Sequence, residues 1–478
     1  MTIRLFFYTT LSIFVLHLAA CGLDPLGRQE AIARQKQLRD STVRATTALE
    51  LGKLLKTDSL VRLFGGRNTT YAKEKIDSLY FFANKELLWQ DQITQKPLPA
   101  LKKLTSELNR AAENGLNPNS YRVKELDELY QQTYLSDTAS YDSARIGNMV
   151  KLDAMASAAA IVYATDLLRG RIKPTGWDMQ YRDAPLAQQL QKAIADSSLT
   201  LFFAQTEPKY PTYSAMKKQL ASLPDDKIDL ARLNMERFRW LPDPEKLGKR
   251  YIWVNIPEFF MRVIQDGDTS SSIKVVVGEP KNASPVLANK PLRNVIFSPV
   301  WNVPVDIAYE EIEYILKNPA VLIVADVDVW VSGKKVDPRD VDWTNVNRRS
   351  VRMRQRPKAT NSMGRVKFPF DNNHGVYIHD TPNQYDFGLT TRATSHGCVR
   401  VQEPEKLASE MLKGSNWTQA AMRKAMFSGK QQYANLPQNV SVNFVYFTAW
   451  ARENGTWQYA KDVYGHDKRQ LKALKAEL

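Results

Sequence analysis

Cysteine is nearly absent from this chain, with 2 in 478 residues. That excludes a disulfide framework, and a thiol kept in the body of the protein needs another reason to be there. Histidine is scarce as well, at 5. The sequence contains no P-loop, no Gly-rich dinucleotide turn, no zinc-ligand spacing and no internal repeat. Nucleotide-phosphate cradles, structural zinc and solenoid architectures are thereby set aside. Acidic residues are in deficit: 51 Asp and Glu stand against 66 Lys and Arg, a formal charge of +15. Such a balance favours polyanions or anionic surfaces without choosing among nucleic acid, membrane and cell wall. The remainder is ordinary globular material, 43% apolar and 24% charged with 10 Trp. A chain of this length has room for two or three domains and a sizeable core.

The first residues are more specific. Arg4 precedes an apolar run from Leu5 that ends in Leu18-Ala19-Ala20-Cys21. Residues 1–20 read as a secretory signal, too short for a comfortable membrane span. The Leu-Ala-Ala-Cys ending resembles the bacterial lipobox, which implies that Cys21 becomes the first residue of the mature protein and carries lipid. Each buried methylene adds about 0.8 kcal/mol, so two or three acyl chains anchor almost permanently. Gly22 after Cys21 points to the outer membrane. The expectation is an exported, periplasmic protein held to a membrane by its N-terminal lipid, and an exported protein argues against a nucleic-acid partner. Cys398 is then alone in an oxidising compartment.

The chain divides by pattern into an α+β protein, with an all-helical N-terminal half and a β-rich C-terminal domain. After Cys21 a polar stretch rich in Arg, Lys and Gln reads as a helical tether over 21–71. Residues 72–242 carry helical spacing, including LPALKKLTSELNRAAENGL and the Ala-rich MVKLDAMASAAAIVYATDLLRG, whose small side chains suit close helix packing. From about 250, short β-rich runs bounded by Gly, Pro, Asn and Asp take over: YIWVNIP, FFMRVIQDG, SSIKVVVGEP and RNVIFSPVWNVP. The β-rich domain is placed at 243–466, with helical patterns at 307–317 and 404–428 and a tail at 467–478. Residues 318–360 read as a long basic loop. VSVNFVYFTAWARENGTWQYA reads as a hairpin around Glu453-Asn454-Gly455.

Chemistry concentrates near Cys398. His379 follows the apolar run VYI, so a rigid strand can aim its ring. A nucleophilic thiol wants an imidazole within hydrogen-bond reach, and a paired imidazole or nearby cations would raise its thiolate fraction about tenfold or more. The imidazole needs an orienter on its other nitrogen, a carboxylate or a backbone carbonyl. Gly397 lets the backbone approach a substrate closely, and the N–H groups of Gly397 and Cys398 could face a developing oxyanion. Arg400 shares a sheet face with Cys398 if the segment is extended, and could hold a substrate carboxylate. His374 and His466 read as surface residues.

HDTP (379–382) followed by SHGCVR (395–400) resembles the signature of the L,D-transpeptidases, whose catalytic domain is called YkuD-type. NMERFRWLP, KVVVGEP, FSPVWNVP, NSMGRVKFPF and AAENGLNPNSY resemble the larger, YcbB-like branch. The resemblance implies that Cys398 is the nucleophile and His379 the general base, held by the Asp380 carbonyl. It places His396 and Gly397 in the catalytic site, and Ser395, Asp380 and Arg400 among the substrate-binding positions. It implies a flap at about 305–360, stem peptides of peptidoglycan as substrate, acylation by carbapenems, and no metal or organic cofactor. The peptidoglycan-binding module common in that branch is missing before NMERFRW, so glycan binding must come from elsewhere.

Overall fold

The computed structural model describes residues 25–56, 59–62, 64, 68–135, 143–304, 307 and 312–476. The signal segment and Cys21 lie outside the described residues. Among the described residues, no helix is long and apolar enough to cross a membrane. The chain forms two compact units: residues 1–172 with 183–207 and 474–478, and residues 173–182 with 208–473.

The first unit is helical. Its axis is α5 (Ser143–Arg169), surrounded by α1 (Pro25–Leu55), α2 (Thr69–Phe82), α3 (Pro99–Asn109), α4 (Val123–Tyr134), α6 (Leu186–Ala195) and α7 (Leu199–Thr206). Ala154, Ala156, Ala158, Ala159, Ala160 and Ala164 of α5 are fully buried; residues this small let helices pack on every side. Gly170, at φ +74°, ends the helix, as the sequence predicts. The tether reading needs correction for α1. Its Leu51 is fully buried in the core with Leu79 and Val150, so its second half docks on the helical unit and only its polar first half stays exposed.

The boundary at 242 also moves. α8 (Pro211–Gln219) and α9 (Asp225–Arg239) belong to the second unit. Met216, Met235 and Phe238 share a core with Ala288, Val445 and Phe447 of the β region. Helical periodicity identifies a helix, but not the surface that its apolar face will cover. Residues 173–182 join the same unit through Asp178, whose N–H donates to Val286 O at 2.9 Å and whose carbonyl accepts from Ala288 N–H at 3.0 Å.

The β region contains β1 (Arg250–Asn255), β2 (Phe260–Gln265), β3 (Asp268–Gly278), β4 (Leu287–Phe297), β5 (Trp301–Val303), β6 (Val327–Val331), β7 (Lys334–Val336), β8 (Val351–Gln355), β9 (Val366–Phe368), β10 (Ile378–His379), β11 (Ala393–Ser395), β12 (Val399–Val401), β13 (Gln432–Val445), β14 (Ala449–Ala451) and β15 (Trp457–Tyr459). The main sheet has nine strands in the order β11-β3-β12-β10-β9-β4-β13-β1-β2, and β2 also pairs with β3. The sheet therefore closes on itself as a ring with β11 as an appended edge, which removes most exposed strand edges. Ile252, Val254, Val275, Phe297, Phe368, Ile378, Val399 and Phe444 fill the interior. The hairpin at Glu453-Asn454-Gly455 joins β14 to β15, whereas VSVNFV lies in the long central strand β13 rather than in that hairpin.

Residues 318–360 are not a loop. β5, β8, β6 and β7 pair in that order as a separate four-stranded sheet, with a small core that includes Val329, Trp343 and Met353. The run's many Arg and Lys alternate outward in β8, where Arg352 and Arg354 are exposed between buried Val351, Met353 and Gln355. Charge at every second position hides a strand in a sequence read for basic composition.

Candidate active site

β9, β10 and β12 lie side by side in the ring. Their register sets Lys367 opposite His379 and His379 opposite Arg400. Val366, Phe368, Ile378, Val399 and Val401 point into the barrel core. Strand alternation therefore turns Lys367, His379 and Arg400 outward together. Tyr377 and Cys398 extend this row: Val399 N–H donates to Tyr377 O at 3.0 Å, and each residue precedes its row partner by two positions. Lys367 Nζ stands 3.7 Å from the centre of the Tyr377 ring. The Tyr377 and His379 rings meet edge-on at 5.6 Å.

His379 is buried, and its Nδ1 lies 2.5 Å from the Asp380 carbonyl oxygen. A carbonyl only accepts, so Nδ1 carries the proton and Nε2 keeps the lone pair. Burial, then the charge of Arg400, push the imidazole down to about 3 against the Asp380 hydrogen bond, with Lys367 adding to the shift. Cys398 is partly buried. Burial pushes its thiol up, against the pull of the Tyr377 N–H and hydroxyl, Lys367 and Arg400. At rest the site therefore holds a neutral thiol and a neutral imidazole, not the ionised sulfur anticipated from the sequence. Desolvation outweighs the two cations because it acts on the sulfur directly. No hydrogen bond joins sulfur to imidazole in this state; the Tyr377 N–H and phenol face the sulfur instead.

The turn that carries Cys398 is fixed from below. Gly397 adopts φ +104°, open to glycine and strained for other residues. Ser284 Oγ donates to Gly397 O at 2.7 Å and accepts from Gly278 N–H at 2.8 Å. Tyr464 Oη donates to Gly278 O at 2.6 Å. A Cβ on Gly278 would lie 2.1 Å from Asn282 O and 2.9 Å from Gly397 Cα. The motif KVVVGEP thus seats the Cys398 turn against a backbone that tolerates no side chain.

Several expected site residues take other places. Ser395 Oγ donates to Cys398 O at 2.5 Å and accepts from Gly397 N–H at 3.3 Å. It braces the turn, and it occupies the Gly397 N–H expected to face an oxyanion. The buried Asp380 carboxylate accepts from Arg365 N–H and Thr381 N–H, both at 2.7 Å. It packs where a Cβ on Gly364 would come within 2.4 Å of it, so it organises the loop under His379. His396 is exposed, outside the row of Cys398 and His379. Arg400 remains on the site face, with Nη1 3.1 Å from Asp386 Oδ2. His466 is half-buried rather than fully exposed: its ring packs against Tyr446 at 4.7 Å and Trp177 at 5.5 Å, and burial pushes it down to about 4. His374 is exposed. Among the described residues, no group of three His, Cys, Asp or Glu could hold a metal ion.

Sequence reasoning missed Tyr377, Lys367, Ser284 and Gly278. Tyr377 was within reach, since VYIH alternates and places it on the His379 face. Lys367 was not, because only cross-strand register brings it there.

Residues 249–419 match the model of the L,D-transpeptidase catalytic domain, YkuD, and residues 74–220 match the Scaffold domain. A Haemophilus influenzae protein named "Putative L,D-transpeptidase" is 33% identical over 240 residues, covering 50% of this chain and 48% of that protein. The chain thus spans about half the length of that relative. Among solved structures, "L,D-transpeptidase from Mycobacterium smegmatis" is 16% identical, with a TM-score of 0.20 over 35% of this chain and 54% of that one. "Structure of the Ldtfm-avibactam carbamoyl enzyme" is also 16% identical, with a TM-score of 0.20 over 35% and 47%.

Proposed function

We propose, from the L,D-transpeptidase catalytic domain at 249–419, that this protein is a peptidoglycan L,D-transpeptidase that joins two diaminopimelate residues. It works exported, in the periplasm, anchored through lipid on Cys21. The observation that carries the reading is the single outward row of Tyr377, His379, Cys398 and Arg400, with the His379 lone pair placed on Nε2 by the Asp380 carbonyl.

His379 Nε2 takes the Cys398 proton as sulfur attacks the carbonyl carbon between diaminopimelate and the terminal D-Ala of a donor stem. The Tyr377 N–H, beside the sulfur, donates to the developing oxyanion; such a donor is worth about 10²–10³ in rate. The C–N bond breaks, the imidazolium returns its proton to the departing D-Ala nitrogen, and a thioester remains. The side-chain amine of a second stem attacks the thioester, His379 accepts its proton, and the amide forms as the thiol is restored. Arg400, partly neutralised by Asp386, has guanidinium capacity left for a stem carboxylate. In the neutral resting state the sulfur keeps its proton until it reacts, and the base is unprotonated at periplasmic pH.

The test is incubation of the chain from residue 22 with tetrapeptide muropeptides, beside Cys398→Ala. Cross-linked dimers from the first alone support the proposal. Free tripeptide without dimer makes water the acceptor, hence an L,D-carboxypeptidase or, on cross-linked donors, an endopeptidase. No Cys398-dependent product from either kind of donor overturns the enzyme assignment.

A further inference from the structure

Across the ring from the catalytic row, the outer faces of β1 and β2 floor a cavity of about 390 Å³. Tyr251, Trp253 and Asn255 alternate outward on β1, while Ile252 and Val254 enter the core. Register sets Trp253 opposite Arg262. Phe447 and Trp450 complete the aromatic wall, and Trp253 and Phe447 lie nearly parallel, 8° apart.

Three features distinguish this cavity from leftover packing space. First, Tyr251 is 8% exposed and lines the cavity, yet among the described residues its hydroxyl has no hydrogen-bond partner. The hydroxyl itself is not sealed from solvent, so it is a free donor and acceptor on the cavity wall, open to a ligand's oxygen. Second, the indole N–H groups of Trp253 and Trp450, both partly exposed on the wall, likewise meet no partner among the described residues. Third, Glu258 and Arg262 form a two-bond pair at the rim, with Nη1 to Oε2 at 2.7 Å. That pair presents acceptors and donors side by side.

An aromatic wall with unmet donors above it and a paired carboxylate and guanidinium at its edge fits a hexopyranose. Such a ring has a C–H face for the π surface and a rim of hydroxyls that both donate and accept. A purely apolar peptide would leave the Tyr251 hydroxyl and both indoles unsatisfied. The volume lies within the range of small-ligand sites and suits one or two sugar rings. We infer that this cavity binds N-acetylhexosamine units of a glycan strand, so that the strand is held on one side of the barrel while its stem peptides are processed on the other. The inference rests on the proposed peptidoglycan substrate and names the part of it that this second site takes.

The test uses the chain carrying Cys398→Ala, with the N-acetylglucosamine tetramer and peptide-free glycan strands as probes in calorimetry. Saturable binding is expected, weakened at least tenfold by Trp450→Ala and about three- to tenfold by Tyr251→Phe, which keeps the ring and loses only the hydroxyl. In the Cys398-containing chain, both changes should leave the rate of carbapenem addition at Cys398 unaltered. No saturable binding, or binding indifferent to Trp450→Ala, overturns the inference. Self-association that Trp450→Ala abolishes, without sugar binding, also overturns it and makes the cavity a protein interface. Dimer formation from soluble, glycan-free tetrapeptides tests the transpeptidase reading separately.

Discussion

The resting protonation state of Cys398 can be measured without any substrate. Iodoacetamide reacts with thiolate, so its rate at one cysteine reports the ionised fraction. A thiol at its ordinary value of 9.0 is about 1% ionised at pH 7. Burial moves Cys398 above that value, so fewer than about 1 in 100 sulfurs should react at pH 7, relative to the alkaline plateau. The alternative, a thiolate held by an imidazolium with a thiol value of 6 or below, would have more than about 90% ionised. The two states differ roughly a hundredfold. The assay is the rate of carbamidomethylation at Cys398, followed by intact mass from pH 5 to pH 10. The expected profile rises about tenfold per pH unit through neutrality, with no plateau below pH 8. Lys367→Met should push the profile further toward alkaline pH, because it removes a cation that pulls the thiol down. A reactive plateau between pH 5 and 7 that His379→Gln abolishes would refute the argument, since it would show an ion pair that this geometry does not contain.

Four further outcomes follow from the same structure. His379 is depressed to about 3 from 6.5, so the unfolded state binds its proton first; the associated stability is complete above about pH 6.5 and is lost as pH falls toward 3. Between pH 7 and pH 4 that loss is about 3 kcal/mol, and urea melts of His379→Gln should show a slope smaller by that amount; an unchanged slope contradicts the burial argument. Gly278→Ala forces a Cβ to 2.1 Å from a backbone oxygen, so it should cost about 3 kcal/mol or more, and a melting temperature equal to the parent's would show that the turn is not seated as described. Ser284→Ala leaves Gly278 N–H and Gly397 O unpaired, at about 1–3 kcal/mol, and should slow carbapenem addition at Cys398 while secondary structure by circular dichroism is kept. Leu51→Ala should destabilise the helical unit by about 2–4 kcal/mol; no measurable effect would restore α1 to the role of a free stalk.

What the sequence determined by itself was local. Helix periodicity, the stop at Gly170, the turn at Asn454-Gly455 and the alternation in VYIHD depend on neighbours a few positions apart, as do the residue types at His379, Gly397 and Cys398. The tertiary structure decided everything that depends on which strand lies beside which. Register put Lys367 and Arg400 on either side of His379 and pressed Gly278 against the turn. Burial, which composition cannot report, reversed the expected ionisation of Cys398. It also set the Asp380 carboxylate and the Ser395 hydroxyl to bracing their loops, and drew His466 into an aromatic cluster. The lobe at 318–360 shows the same limit: an alternating basic strand reads as loop until a partner sheet and its small apolar core supply the other half of the pattern.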